Sequence, residues 1–183
     1  MSTKQVQKKV KAIRWYRNLH RWLGIPLIIF FFIIGITSLL LAWKKKADLL
    51  PPTQRSVNAT GDWILPTQMI QIAEEEMEKL GEDSAVDRID IRPDNGIAKV
   101  TFKTHFTEVQ VDGFSGAVLS VGTRHSDWIE KVHDGSILDF YTTGDEGAKL
   151  TYSTLSALGL IFMSFSGFYL WYYPKLIRKL KEK

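Results

Sequence analysis

Two long apolar runs bracket a polar middle. The first, "WLGIPLIIFFFIIGITSLLLAW", extends from Trp22 to Trp43 with no charged residue in 22 positions. At about 1.5 Å per residue a helix of this length covers roughly 33 Å, enough for a hydrocarbon core of ~30 Å. Trp15, Tyr16 and Trp22 flank one end and Trp43 the other, the distribution of an interfacial aromatic belt. The second run, Leu150 to Pro174, is uncharged between Lys149 and Lys175 and richer in Ser, Thr and Gly. It closes on "YLWYYPKLIRKLK": an aromatic girdle, a helix-ending proline and a basic tail. The pattern predicts transmembrane helices over 22–43 and 149–173. The first run is too long for the apolar region of a signal peptide. "LLAWKKK" also offers no small-x-small cleavage site, so the span is expected to remain in the protein.

Between the runs the periodicity changes. "PTQMIQIAEEEMEKLGE" carries Met69, Ile70, Ile72, Ala73, Met77 and Leu80 near helical spacing, with an acidic outer face and Gly81 as the stop. Four short alternating runs follow, "VDRIDIR", "IAKVTFK", "FTEVQVD" and "AVLSV", separated by the turn clusters "PDNG" and "DGFSG". A helix followed by antiparallel strands is an α+β pattern. The fold class expected is an α+β membrane protein, two transmembrane helices flanking a helix-plus-antiparallel-sheet domain over 63–122. Residues 44–62 read as a linker, within which Asn58-Ala59-Thr60 matches a glycosylation sequon by chance. Residues 123–148 read as an amphipathic connector, its stripe made by Trp128, Ile129, Val132 and Ile137.

Charge orients this arrangement. Residues 1–21 carry seven Lys or Arg and no acid, and the tail 174–183 carries five against one Glu. Residues 44–152 carry twelve Lys or Arg against nineteen Asp or Glu. The basic ends abut apolar runs, which points to lipid headgroups rather than nucleic acid. By the positive-inside rule both termini are expected in the cytoplasm and residues 44–150 outside, in the periplasm. Lys44, Lys45 and Lys46 oppose this locally, but the ends outnumber them twelve to three.

There is no cysteine, which excludes disulfides, thiolate-ligated zinc, iron–sulfur clusters and CxxCH haem attachment. No GxGxxG, Walker loop, HExxH or GxSxG occurs, so no nucleotide site is recognisable.

The remaining chemistry lies with four histidines. His20 shares a helical face with Gly24, Phe31, Gly35 and Ser38, all within about 60° at 100° per residue. In the second run Ser153, Ala157, Ser164 and Gly167 form a similar stripe. Small residues let membrane helices approach closely or leave room for a flat ligand. An ionisable side chain on such a face is either a functional group or an interfacial histidine near the headgroups. His133, in "VHDGSIL", sits on the edge of the connector's apolar stripe beside Gly135, as a part-buried structural residue or a ligand. His125 reads as solvated and His105 as a strand-turn residue.

"LHRWLGIPLIIFFFIIGITSLLLAW", "FTEVQVDGFSGAVLSV", "VHDGSIL" and "SGFYLWYYPK" together resemble the PepSY-associated transmembrane helix family of bacterial inner-membrane proteins, from Asn18 to Lys175. "HRWLG" and "SGFYLW" are its more specific elements. The resemblance implies a PepSY-like domain over 63–122. Larger members have about four spans and include reductases of siderophore-bound iron, in which span histidines ligate b-type haem. Carried over by motif, His20 and His133 become the axial ligands of haem b. Gly24 and Gly35 then leave space for the ring, and Arg17 and Arg21 lie near its propionates. This chain has two spans rather than four, with no histidine in the second.

His20 belongs to the cytoplasmic end of the first span and His133 to the outer end of the second, roughly 30 Å apart. The trans axial nitrogens of one iron are only ~4 Å apart, taking metal–imidazole bonds near 2.0 Å. Two protomers could pair His20 with His20 and His133 with His133 in a four-helix bundle, or a larger membrane complex could supply the missing ligands. The reading is an inner-membrane, haem-binding electron relay fed by a separate electron donor, with a ferric siderophore as its substrate. The alternative is a non-enzymatic membrane-anchored module or accessory subunit that binds an envelope partner.

Overall fold

Alternation in the middle segment becomes a four-stranded antiparallel meander. A computed structural model describes residues 3–57, 61–142 and 146–181. The element order is α1 (Thr3–Ala42), α2 (Pro66–Leu80), β1 (Val86–Arg92), β2 (Ile97–Phe102), β3 (Thr107–Asp112), β4 (Val118–Thr123), α3 (His125–Asp134), α4 (Ile137–Tyr141) and α5 (Gly147–Lys181). The sequon Asn58–Thr60 lies outside the described residues, as do Met1, Ser2, residues 143–145 and the last two residues of the basic tail. The chain divides into two units: Met1–Ile36 with His133–Lys183, and Thr37–Val132.

In the second unit the sheet order is β1-β2-β3-β4. Opposed pairs such as Val100 with Val109 and Ala98 with Val111 put alternate residues on one face. That face packs against Met69, Ala73 and Met77 of α2, and together they make the hydrophobic core. Pro66 opens α2, where its missing N–H costs nothing, and the Leu65 N–H donates to Gln68 Oε1 at 3.0 Å. Gly81 ends it in the left-handed conformation, φ 75°, returning its N–H to the last turn.

The opposite face of the sheet is buried as well, and it is polar. Lys99, Thr101, Glu108, Gln110 and Asp112 are all at most 7% exposed. Glu108 is the hub: Lys99 Nζ lies 3.0 Å from Oε1, Gln110 Nε2 donates to the same oxygen at 2.8 Å, and Arg124 binds Oε2. Arg124 Nε also donates to Asp127 at 2.6 Å. Burial alone would make the Arg124 cation easier to lose, but Asp127 and then Glu108 outweigh it and raise its pKa further.

The residues expected as a linker meet this face. The Gln110 amide grips the extended backbone, accepting from the Gln54 N–H at 2.8 Å and donating to the Pro52 carbonyl at 3.0 Å. Leu49 O accepts from the Ser126 N–H and Ser56 N donates to Asn95 O, fixing both ends of the segment. At the turn between β3 and β4, burial would raise the Asp112 pKa. The neighbouring Ser56 hydroxyl, though short of a well-formed hydrogen bond, and the N–H groups of Ser115 and Phe114 outweigh burial and hold it below the usual carboxylate value.

Candidate functional site

The first unit brings together the two long apolar helices, and its outer surface is greasy. Ile25, Ile28, Ile29 and Phe32 of α1 are each more than half exposed, as are Leu155, Leu158, Phe165 and Phe168 of α5. Val10–Ala42 and Gly147–Lys179 are each long and apolar enough to cross a bilayer. An exposed apolar surface of this extent is that of helices solvated by lipid.

The helices run antiparallel, and their contacts form a ladder. Tyr16 meets Tyr169 with ring centroids 5.0 Å apart, and Phe30 meets Tyr152 at 5.7 Å. Between these rungs small residues receive large ones. A Cβ on Gly24 would lie 2.9 Å from Met163 Cε, and one on Gly159 would lie 2.6 Å from Leu27 Cδ2. Knob and gap therefore alternate between the partners, which lets the backbones approach.

His20 occupies one rung of this ladder. Its Nδ1 lies 2.7 Å from Ser166 Oγ, and Ser166 is 5% exposed. Gly167 lies under the ring, where an added Cβ would be 3.6 Å from Cε1. Tyr16, one turn earlier on α1, and Tyr169, three residues later on α5, belong to the aromatic belt. His20 thus lies within that belt, between Tyr16 and Trp22, at the edge of the apolar region. Beside Ser166 opens a cavity of about 420 Å³ whose walls include Tyr16, Phe162, Phe165, Tyr169 and Tyr172. Arg17 and Arg21 flank His20 on α1 and are exposed.

His133 lies elsewhere. It is part-buried near the end of α3, where the chain turns into α4 and α5. Asp134 organises this turn: its carboxylate accepts from both the N–H and the hydroxyl of Ser136, and its carbonyl accepts from Ser153 Oγ at 3.3 Å. Gly135, at φ 81°, presses on the Tyr152 ring, where an added Cβ would be 2.5 Å from Cγ. Asp139, 6% exposed, caps α5 by accepting from the N–H groups of Ala148 and Lys149 at 2.9 and 2.8 Å. His133 is therefore level with the first turns of α5, while His20 is level with Ser166. The thirteen residues from Ser153 to Ser166 correspond to ~20 Å of helix. The two histidines do not share a site within one chain.

The predicted small-residue seams are partly displaced. His20, Gly24 and Phe31 face the partner helix, whereas Gly35 and Ser38 are exposed, and Gly35 has nothing within 4 Å of an added Cβ. On α5, Ser153, Ala157 and Ser164 point away, and the covered positions are Tyr152, Ser156, Gly159, Met163, Ser166 and Gly167. Packed antiparallel helices repeat contacts every 3.5 residues rather than every 3.6, so a straight wheel drifts off the seam by its far end. Sequence reasoning missed Ser166 for this reason. Aligning the aromatic belts of the two spans would have placed His20 opposite residues 164–167. The remaining histidines are accounted for locally: His105 Nε2 donates to Asp83 O at 2.8 Å and its Nδ1 accepts from the Thr107 N–H, and His125 begins α3.

The profile of the PepSY-associated TM region matches residues 17–180. The chain belongs to the PepSY-associated transmembrane family. It is a two-pass membrane protein of that family, its two spans flanking a helix and a four-stranded antiparallel sheet. No curated protein matches it.

Among the described residues no group of three or more His, Asp or Glu side chains gathers as a metal site. A haem iron asks less of a protein, one or two axial donors and an apolar slot. His20 offers an imidazole with one nitrogen engaged, and the aromatic cavity next to its partner offers flat apolar walls. His20 is the imidazole that would hold a b-type haem here, although it is not itself part of the cavity wall.

Proposed function

We propose that this chain is an inner-membrane b-haem protein that relays electrons across the bilayer toward ferric iron carried by a siderophore. The observation that carries the reading is His20: an ionisable side chain on the packed face of a span at the edge of the hydrocarbon, anchored by Ser166 beside an aromatic cavity. An ionisable group turned toward the partner helix of a span is a functional candidate. The basic ends orient both termini toward the cytoplasm, with residues 44–150 in the periplasm.

When bound, the haem supplies a one-electron couple. The chain's own residues bind and bury it. His20 would supply an imidazole donor near the cytoplasmic face, and Arg17 and Arg21 would supply cations for propionates at headgroup depth. The space beside Gly24, expected from the sequence to admit the ring, is taken by the Met163 side chain, whose flexible end would have to move for a ring to enter there. His133 provides a donor at the outer end. Each end of one chain carries a single histidine, so a second copy in a two-fold dimer completes each pair. With no nucleotide-binding motif in the sequence, the electron donor is a separate molecule.

The experiment is an absorption spectrum of the protein purified in detergent after haem-replete expression. A bis-histidine b-haem gives a red protein with a sharp α-band on reduction. A colourless protein would overturn this reading and leave the non-enzymatic one, a membrane-anchored PepSY module bound to an envelope partner.

A further inference from the structure

We infer that Ser166 is a positioning residue that fixes the tautomer of His20 and so decides which ring nitrogen is free to ligate. The hydroxyl of Ser166 has a single proton. Its Oγ lies 2.6 Å from the carbonyl oxygen of Phe162, one turn back on α5, and 2.7 Å from Nδ1 of His20. A carbonyl cannot donate. Two bare oxygens at 2.6 Å would repel, so the serine proton must lie on the line to Phe162. The contact to the Met163 carbonyl, at 3.4 Å, is a minor branch of the same donation. The lone pairs of Oγ then remain for His20, and a 2.7 Å approach requires Nδ1 to carry the hydrogen. In the neutral ring Nε2 therefore holds the lone pair, and no described residue takes it.

Two consequences follow for the ring. A hydrogen bond donated from one nitrogen makes the other a stronger electron donor and fixes the plane of the imidazole. The anchor is itself immobile, because Ser166 is 5% exposed and tied to its own helix. Helix α5 contributes no histidine, yet through Ser166 it sets the chemistry of the histidine on α1. What Nε2 then holds rests on the haem reading; the tautomer does not.

The test separates the two. Full-length protein in detergent, labelled with ¹⁵N-histidine and prepared without haem, is compared with Ser166→Ala and Ser166→Thr, and His20 is assigned by difference against His20→Gln. The wild type and Ser166→Thr should show a protonated Nδ1 and an unprotonated, pyridine-like Nε2. Ser166→Ala should show a mixture of tautomers. A proton on Nε2 in the neutral wild-type ring, or an unchanged tautomer in Ser166→Ala, would overturn the inference whether or not haem binds. In haem-loaded protein the midpoint potential should rise in Ser166→Ala and return in Ser166→Thr. An unchanged potential in haem-loaded Ser166→Ala would contradict the tuning role. A wild type that takes up no haem, with the tautomer as stated, would sink the haem reading alone.

Discussion

Nδ1 of His20 lies 2.7 Å from Oγ of Ser166, a contact between two helices whose bonded residues are 146 positions apart in sequence. It is a polar side-chain contact between α1 and α5. Around it rings, glycines and apolar side chains pack against one another. In lipid, apolar side chains gain little by leaving their solvent, so packing and the few polar contacts decide how such helices pair. A histidine placed for pairing alone could have been any small polar residue; an imidazole adds a second nitrogen.

The glycines of this pair should not be equivalent. Gly159→Val should weaken helix pairing by ~1–3 kcal/mol, because the new atoms meet Leu27. Gly24→Ala should cost less, since it meets the flexible end of Met163, and Gly35→Ala should cost nothing within one chain. Titration with a denaturing detergent, followed by loss of helix pairing, ranks the three. A loss at Gly35 matching that at Gly159 would place another helix over that face.

The buried polar face of the sheet should dominate the stability of the second unit. Glu108 is fully buried and holds Lys99 and Arg124, so Glu108→Ala leaves buried Lys99 without its carboxylate and Arg124 with Asp127 alone, at a cost of ~3–5 kcal/mol. Glu76→Ala, which breaks the exposed pair with Lys79, should cost under ~1 kcal/mol. Chemical unfolding of the full-length protein followed by Trp63 fluorescence compares them. Equal effects would mean the buried cluster is not a structural hub.

How much of this was readable beforehand varied with the physics. The spans, α2 and the four strands follow from apolar periodicity, which registers which side of an element is covered. The Glu108 cluster did not show, because Lys99 and Glu108 occupy the positions where an alternating strand places its solvent face. Only the return of residues 49–56 across that face buries them. Ser166 was hidden differently: helical spacing reveals which residues share a side, but not which side the partner takes. His20 and Gly24 face the partner helix, as the wheel placed them, because motif and seam coincide near the start of the apolar run. Gly35, eleven residues beyond Gly24, falls off the seam.

Acid should act on the second unit through Asp112. Its folded pKa lies below the ordinary value of ~3.9. The stabilisation is therefore complete above about pH 4 and is lost as the pH falls through the folded value. Asp112→Asn should be less stable than the wild type at pH 7, and the gap should narrow below pH 4. Thermal unfolding at a series of pH values measures this. A gap that stays constant to pH 2 would show that the charge contributes nothing.

The central claim, that His20 is a haem ligand, is tested most directly by haem stoichiometry in the pyridine haemochrome assay, comparing wild type, His20→Ala and His133→Ala at equal membrane insertion. His20→Ala should lose its site and so half or all of the haem. A separate, additive loss should follow in His133→Ala if the outer end holds a second haem, because sites this far apart act independently. Unchanged haem per protein in His20→Ala would contradict the account and return His20 to a purely structural bond with Ser166.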